Sequence, residues 1–403
     1  MMSMGIARRL DVFPARRPEP LAHGYAAQAD PFQLEIIETR ARFDAIASDW
    51  NDLFERAGLA AQAFQTHRFL SCWADRYLVD DCKLAIVAAW REGRLAMVWP
   101  LVRKSRIGLK RLIWMGEPAV QFGDVLVEDG AITLELLLTG WNTVRGMNVD
   151  VIHLRKVRAD SRIAPILARA QLAVLLTEGA PFHELSSAPV WSEYEKRYSA
   201  KARSARRRLA RRLAETGCIS FDHCPAGPLA SALALEAIGF KRRRFLQQGW
   251  VAPTVEDARF EALVSDLAAL PGSRLSVIRR DGAAIGIEFS LTCKDQAFGY
   301  IIAHDPDFEK LSVGILLAEF TLRSAHAQGI TRFDLLAPPD AYKMDWADGT
   351  VGVDDLGLGL TPLGRLYMRI WAKDGRARVK RLMRKMPRWL TNTLANAYAR
   401  MKG

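Results

Sequence analysis

Ala297-Phe298-Gly299-Tyr300-Ile301-Ile302-Ala303 is an apolar, aromatic and β-branched run of the kind that forms a buried strand. His304-Asp305-Pro306-Asp307-Phe308-Glu309-Lys310 follows as a turn-rich link, and Ser312-Val313-Gly314 opens a helix through Ile315-Leu316-Leu317 to Ala327. Gly329 stops that helix, Arg332-Phe333-Asp334-Leu335-Leu336 returns as a strand, and Ala341-Tyr342-Lys343-Met344-Asp345-Trp346 comes next. A small-residue helix start just after a strand leaves backbone N–H groups aimed beyond the strand end. Those donors and the helix dipole attract phosphate.

Upstream, Leu275-Ser276-Val277-Ile278 and Ile285 to Leu291 flank Asp281-Gly282 as a hairpin. Helices are expected over about 230–245 and 255–270, and a strand from Ile219 to Phe221. Tyr194, Tyr198, Ala202, Ala205, Leu209 and Leu213 fall on one face of a long helix that Gly217 ends. The Ser-, Ala- and Pro-rich segment from Glu184 to Val190 marks a boundary. Before it, Phe32 to Ile37 alternates as a strand, and Phe43, Ile46, Trp50 and Leu53 recur at helical spacing, as do Phe69, Leu70, Trp73 and Tyr77. Strand-like runs cover 84–90, 95–103, 112–115, 124–127 and 151–154. Each half thus reads as helices, then antiparallel strands, then a helix returning to the sheet.

A chain of 403 residues exceeds one ordinary core. The expected organisation is a disordered leader over 1–30, an N-terminal domain over 31–185, a C-terminal domain over 190–362 and a basic amphipathic helical tail over 363–403. The five cysteines, Cys72, Cys82, Cys218, Cys224 and Cys293, form neither a disulfide framework nor a zinc-ligand pattern, and no metal is expected. No apolar run is long enough to span a bilayer, and the Ala-, Arg- and Pro-rich N-terminus lacks the apolar segment of a secretory signal. The net charge of +12 gathers in blocks around 196–212, in Lys241-Arg242-Arg243-Arg244 and in the tail, fields that attract polyanions. Tail residues such as Tyr367, Ile370, Trp371 and Leu382 among cations suit a helix lying on anionic membrane, while no nucleic-acid motif is present.

These elements in this order resemble the GNAT acyltransferase superfamily, and more closely the double-GNAT proteins of the CelD/BcsL-like acetyltransferase group, relatives of the Fem peptidyltransferases. The resemblance rests on Trp50 to Leu53, Phe64-Gln65-Thr66, Trp73, Pro100-Leu101 and Gly123 to Leu126 in the first half. In the second it rests on Tyr194, Lys201, Arg203 to Leu209, Gly217, Phe308, Ser312 to Leu317, Gly329, Phe333-Asp334, Tyr342-Lys343 and Trp346. It implies an α/β (α+β) fold of two tandem GNAT-like domains, each a mixed, mostly antiparallel sheet flanked by helices. The superfamily's pyrophosphate loop begins with Arg or Gln and has two small residues. Here Gly314 fills the first small position, Leu311 and Leu316 replace the other two, and Lys310 supplies a nearby charge.

The implied activity is acyl-CoA-dependent N-acetyl transfer, with acetyl-CoA or another acyl-CoA as co-substrate. The acceptor would be a small molecule or glycan precursor, such as an amino sugar or a polysaccharide precursor in cellulose or exopolysaccharide biosynthesis. Two alternatives are a Fem-like aminoacyl-tRNA-dependent transferase and a non-catalytic membrane-associated scaffold. The expected location is the cytoplasm, with peripheral contact at the inner membrane face. The expected cofactor contacts are Ile301, Ile302 and Ala303 along the strand, then Lys310, Ser312, Val313, Gly314, Ile315 and Leu316. Acyl transfer to an amine needs a base, a polarised carbonyl and a protonated leaving thiolate. Glu288, which by alternation shares a face with Gly286 and Ser290, is the candidate base. Tyr300 is the candidate acid, Lys343 the oxyanion stabiliser by analogy with the Fem relatives, and Asp334 a further catalytic candidate at a strand end. His304 and His326 have no carboxylate partner in sequence.

Overall fold

The computed structural model describes residues 32–79, 81–250 and 252–370. The expected leader and the tail beyond Ile370 lie outside these residues. The first half opens with β1 (Gln33–Ile37), α1 (Arg40–Ala45) and α2 (Ala47–Ala57), whose Trp50, Leu53 and Phe54 are buried. The Thr66 hydroxyl caps α3 (His67–Tyr77). Next come β2 (Cys82–Leu84), β3 (Ile86–Arg91), β4 (Arg94–Trp99), β5 (Leu101–Arg106), β6 (Leu109–Trp114) and β7 (Leu126–Val127). Pro100, with no N–H to give a ladder, divides the expected 95–103 strand into β4 and β5. Then follow α4 (Thr133–Gly146), β8 (Val151–Arg158), α5 (Ala164–Arg169) and the long β9 (Ala173–Glu184).

The second half begins with α6 (Trp191–Tyr194) and α7 (Ala200–Ala214). The continuous helix expected from Tyr194 is broken at Tyr198–Ser199, because the Ser199 hydroxyl accepts from Ala202 N and starts α7 afresh. β10 (Ile219–Pro225) and α8 (Pro228–Gln248) follow, then α9 (Pro253–Glu256) and α10 (Ala258–Ala269), which Asp257 separates by capping α10. The hairpin of β11 (Ser273–Arg280) and β12 (Ala283–Cys293) leads to β13 (Gln296–His304), α11 (Val313–Ala327), β14 (Arg332–Asp334), α12 (Ala341–Met344), β15 (Gly349–Gly359) and α13 (Pro362–Ile370).

β1, β3, β4 and β7 form a four-stranded sheet. The other strands form one eleven-stranded sheet in the order β10-β11-β12-β13-β14-β9-β15-β8-β6-β5-β2. Its parallel pairs are β13 with β14 and β6 with β8, each joined by a crossover that contains a helix, α11 or α4. The other pairs are antiparallel, so the sheet is mixed and mostly antiparallel. At its centre the halves exchange strands: β15 pairs with β8, and β9 pairs with β14. The main apolar cluster draws on both halves, from Trp50, Trp73 and Trp99 to Phe289, Phe298 and Tyr300.

Candidate active site

β13 is bonded to β14 only through Gln296, Ala297 and Phe298, opposite Arg332, Phe333 and Asp334. β14 then departs: Leu335 N donates to Pro181 O on β9, and Leu336 turns through a left-handed φ of 61°. From Gly299 to His304, β13 therefore keeps β12 on one edge and, among the described residues, has no strand on the other. Register adds a bulge here, since Phe289 pairs with Ile301 and Ser290 with Gly299, leaving Tyr300 as the extra residue. The two parallel strands thus splay apart and, among the described residues, leave one edge of β13 without a strand partner.

That edge leads to the start of α11. Ser312 stands in the left-handed region at φ 56° and ψ 36°, and its side chain makes no capping bond. Ile315 N and Leu316 N reach back to Ser312 O at 3.0 and 3.4 Å, so among the described residues the donors of the first turn without a partner are those of Val313 and Gly314. Val313 and Leu316 bury their side chains in the core, Ile315 is exposed, and Lys310 is exposed one turn earlier. A ligand at this end would therefore meet main-chain N–H groups and Lys310. A Cβ on Gly314 would lie 3.4 Å from His304 Nδ1, an ordinary contact, so packing alone does not demand glycine there. Ile301 and Ala303 are buried and Ile302 partly so; they offer the cleft their backbone.

Glu288 is 2% exposed on β12, paired across with Ser276 and Ile302. The expected face shared with Gly286 and Ser290 is present, and it looks toward α11: a Cβ on Gly286 would collide with Val313. Burial pushes the Glu288 carboxyl up to about 8, against the pull of Arg274 and a 3.4 Å hydrogen bond from Ser290 Oγ. Its Oε1 has no hydrogen-bond partner among the described residues, and it would stand 3.7 Å from a Cβ on Gly299. Asp334 O would be 3.7 Å from the same point, so Oε1 lies at the apex of the splay.

Tyr300 is packed among Phe64, Phe69, Phe260 and Phe289. Its hydroxyl donates to Ala119 O at 3.0 Å, and burial raises its pKa. Giving that proton to a thiolate requires the Ala119 bond to break. Asp334 is 1% exposed; Arg158 Nη1 donates to its Oδ2 at 2.6 Å and Leu336 N to its Oδ1 at 2.7 Å. Lys343 is buried, unlike most lysines, and donates to Leu336 O at 2.9 Å and Pro338 O at 3.0 Å. It therefore pins the segment that diverges from β13. Burial lowers its pKa, and Asp340 and Asp334 oppose the shift.

Sequence reasoning missed four contributors. Gly299 leaves room beside Glu288, Arg274 faces Glu288 from β11, and Arg158 crosses from β8 to hold Asp334. Lys241, half-buried on α8, is pushed down to about 8 by burial and by the charges of Lys343 and Arg244. The run Lys241 to Arg244 signalled only its charge. His304 is half-buried beside Gly314, and His326 is tied to Ala188 O at 2.9 Å. A pocket of about 510 Å³ between α4 and α5, lined by Asp160, Ser161 and Arg162 among others, contains none of the candidate residues. Among the described residues no cluster of three His, Cys, Asp or Glu could hold a metal, and no helix is long and apolar enough to cross a membrane.

The geometry has counterparts among known proteins. No curated protein matches the chain. In solved structures, FemX matches with a TM-score of 0.54 at 12% identity, over 84% of this chain and 100% of that one. A C-terminal domain assigned to a lysylphosphatidylglycerol synthetase of Agrobacterium fabrum matches with a TM-score of 0.50 at 10% identity, over 82% and 97% of the two chains. At these identities the likeness is one of fold. Residues 200–344, from the start of α7 through the splay to the end of α12, match the family model described as an acetyltransferase (GNAT) domain. The domain that builds the splay is thus of the GNAT acetyltransferase kind, and the protein is an enzyme, an acyltransferase.

Proposed function

We propose that the protein transfers an acyl group from acyl-CoA to the amine of a polar acceptor, an amino sugar or polysaccharide precursor as in the CelD/BcsL-like group, in the cytoplasm. The observation that carries this reading is the unpaired edge of β13 from Gly299 to His304, running into a helix start with no side-chain cap. An extended amide-bearing arm can pair with such an edge as an added strand does. Its phosphates would then meet Val313 N, Gly314 N and Lys310. Glu288 Oε1 takes the proton of the attacking amine at the apex. A carboxyl poised near 8 suits that task, being both a competent acceptor and partly ionised at neutral pH. Lys343 fixes the opposite wall and adds positive charge near the carbonyl oxygen.

A second reading replaces acyl-CoA with an aminoacyl donor, as in the Fem relatives. The fold shared with FemX and the exposed basic face of α7 favour it. Calorimetric titration of acetyl-CoA into wild type and Gly314→Trp separates the two. Micromolar binding by wild type, lost in the variant, is expected. Absence of binding to both acetyl-CoA and free CoA would sink the acyl-CoA reading and turn the search to aminoacyl-tRNA, then to a scaffold role.

A further inference from the structure

Beneath α11 lies a cluster of buried polar side chains around Glu288, and the transfer chemistry above uses only Glu288 itself. Strand register places Arg274 opposite Ser290, and Ser276 opposite Glu288. All four are buried. Arg274 Nη2 donates to Ser324 Oγ on α11 at 2.5 Å, and Thr321 sits one turn before Ser324 at 2% exposure. Four atoms on these side chains are buried without a hydrogen-bond partner among the described residues: Arg274 Nε and Nη1, Glu288 Oε1 and Thr321 Oγ1. The charges of Arg274 and Glu288 attract each other. Ser276 Oγ lies 3.4 Å from His223 Nδ1 on β10, and the His223 ring stacks on Phe320 of α11 at 4.6 Å.

Buried polar atoms in folded proteins find partners, and when no side chain supplies them, ordered water does. We propose that bound water lies among these unpartnered atoms under α11 and bridges Arg274 to Glu288, which makes Arg274 the positioning residue that holds the Glu288 carboxyl against Gly299 at the apex of the splay. The inference rests on Glu288 serving as the base. Arg274 cannot itself take the proton, being always charged. It orients the carboxyl and, through water, stabilises the ionised form. Ser290 Oγ is the side-chain hydrogen-bond partner of Glu288 and Arg274 the charge that acts on it; around them Ser324 on α11 meets Arg274, His223 on β10 meets Ser276, and the Asp334 carbonyl lies by Gly299.

The test is a carboxyl titration by carbon NMR on the full chain labelled at glutamate, with the Glu288 signal assigned by its loss in Glu288→Gln. The expected wild-type midpoint is about 8. Arg274→Met should raise it by about one pH unit or more, the equivalent of a tenfold weaker acid. Arg274→Lys, which keeps the charge, should stay nearer wild type. Thr321→Val, which removes one partner of the bridge, should give a smaller upward shift and decides the question if Arg274→Met does not fold. A midpoint unmoved by both Arg274→Met and Thr321→Val would overturn the proposal. The titration needs no acyl donor, so failure of acetyl-CoA to bind overturns the donor reading without touching the bridge, and the reverse also holds.

Discussion

Glu288 and Gly299 show how much of the site rests on single residues. A carboxyl raised to about 8 by burial is protonated in the folded chain across a range where an ordinary glutamate is ionised. The folded state then binds more protons than the unfolded one between the two pKa values. Stability is therefore greatest below the unfolded value of roughly 4.3 and is lost as pH rises through about 8. Glu288→Gln should remove that slope, and chemical denaturation at pH 6 and pH 9 should show the gap between the two pH values shrinking by a few kcal/mol, on the order set by such a shift. An unchanged gap would mean that Glu288 is not the buried proton-binding group. Gly299 tests the apex more directly. A methyl there would lie 3.2 Å from Phe333 Cε1 and 3.7 Å from both Glu288 Oε1 and Asp334 O. Gly299→Ala should fold with a modest loss of stability yet slow acyl transfer at least tenfold, the equivalent of roughly 1.4 kcal/mol. Wild-type turnover by the variant would place the reaction elsewhere.

Elements differ in how openly the sequence announces them. The strand at 297–303, the helix opening at Ser312 and ending before Gly329, and the Asp281-Gly282 hairpin were legible, because periodicity and turn residues are local signals. β9 and β15, the two central strands, were not. β9 carries Thr177, Glu178, Gly179 and Pro181, and β15 carries four glycines, with its short alternations of Val351 and Val353 and of Leu356 and Leu358 thrown out of phase by Asp354-Asp355. Two of those glycines answer contacts invisible in sequence: a Cβ on Gly357 would strike Met368, and one on Gly349 would strike Phe182. The face of Glu288 followed from alternation, whereas its burial depends on where α11 lands. α13 carries its own prediction. It buries Gly364 and Met368 and exposes Leu363, Leu366 and Ile370, at 49%, 54% and 64%, beside Arg365 and Arg369. Such a stripe suits the surface of an anionic bilayer. The full chain should co-sediment with anionic vesicles and not with neutral ones, and replacing the three apolar residues by serine should weaken this several-fold. Undiminished binding by the triple variant would clear α13 of the role.

At the scale of the whole molecule, the exchanged strands join the two halves of the described residues in one sheet. β14, one wall of the splay, is paired on its far side with β9 from the first half, and Arg332 on β14 donates to Glu184 on β9 at 2.6 Å. Arg158 on β8 reaches Asp334 at 2.6 Å with both side chains nearly inaccessible, at 3% and 1%. Tyr194 joins His183 on β9 to Asp348, just before β15, and Arg197 pairs with Asp348 as well. A second half that borrows a sheet neighbour and a buried charge cannot melt separately from its lender. Urea unfolding, followed by a probe in each half, should therefore show coincident transitions. Arg158→Met should move both together, by roughly 3 kcal/mol or more, because it leaves a buried carboxylate without its partner. Adding Asp334→Asn should recover much of that loss, since the neutral amide keeps an acceptor for Leu336 N while no longer needing a counter-charge. Two separated transitions, or a variant that shifts one probe alone, would show that the halves are independent domains and that the splay is built by the second half by itself.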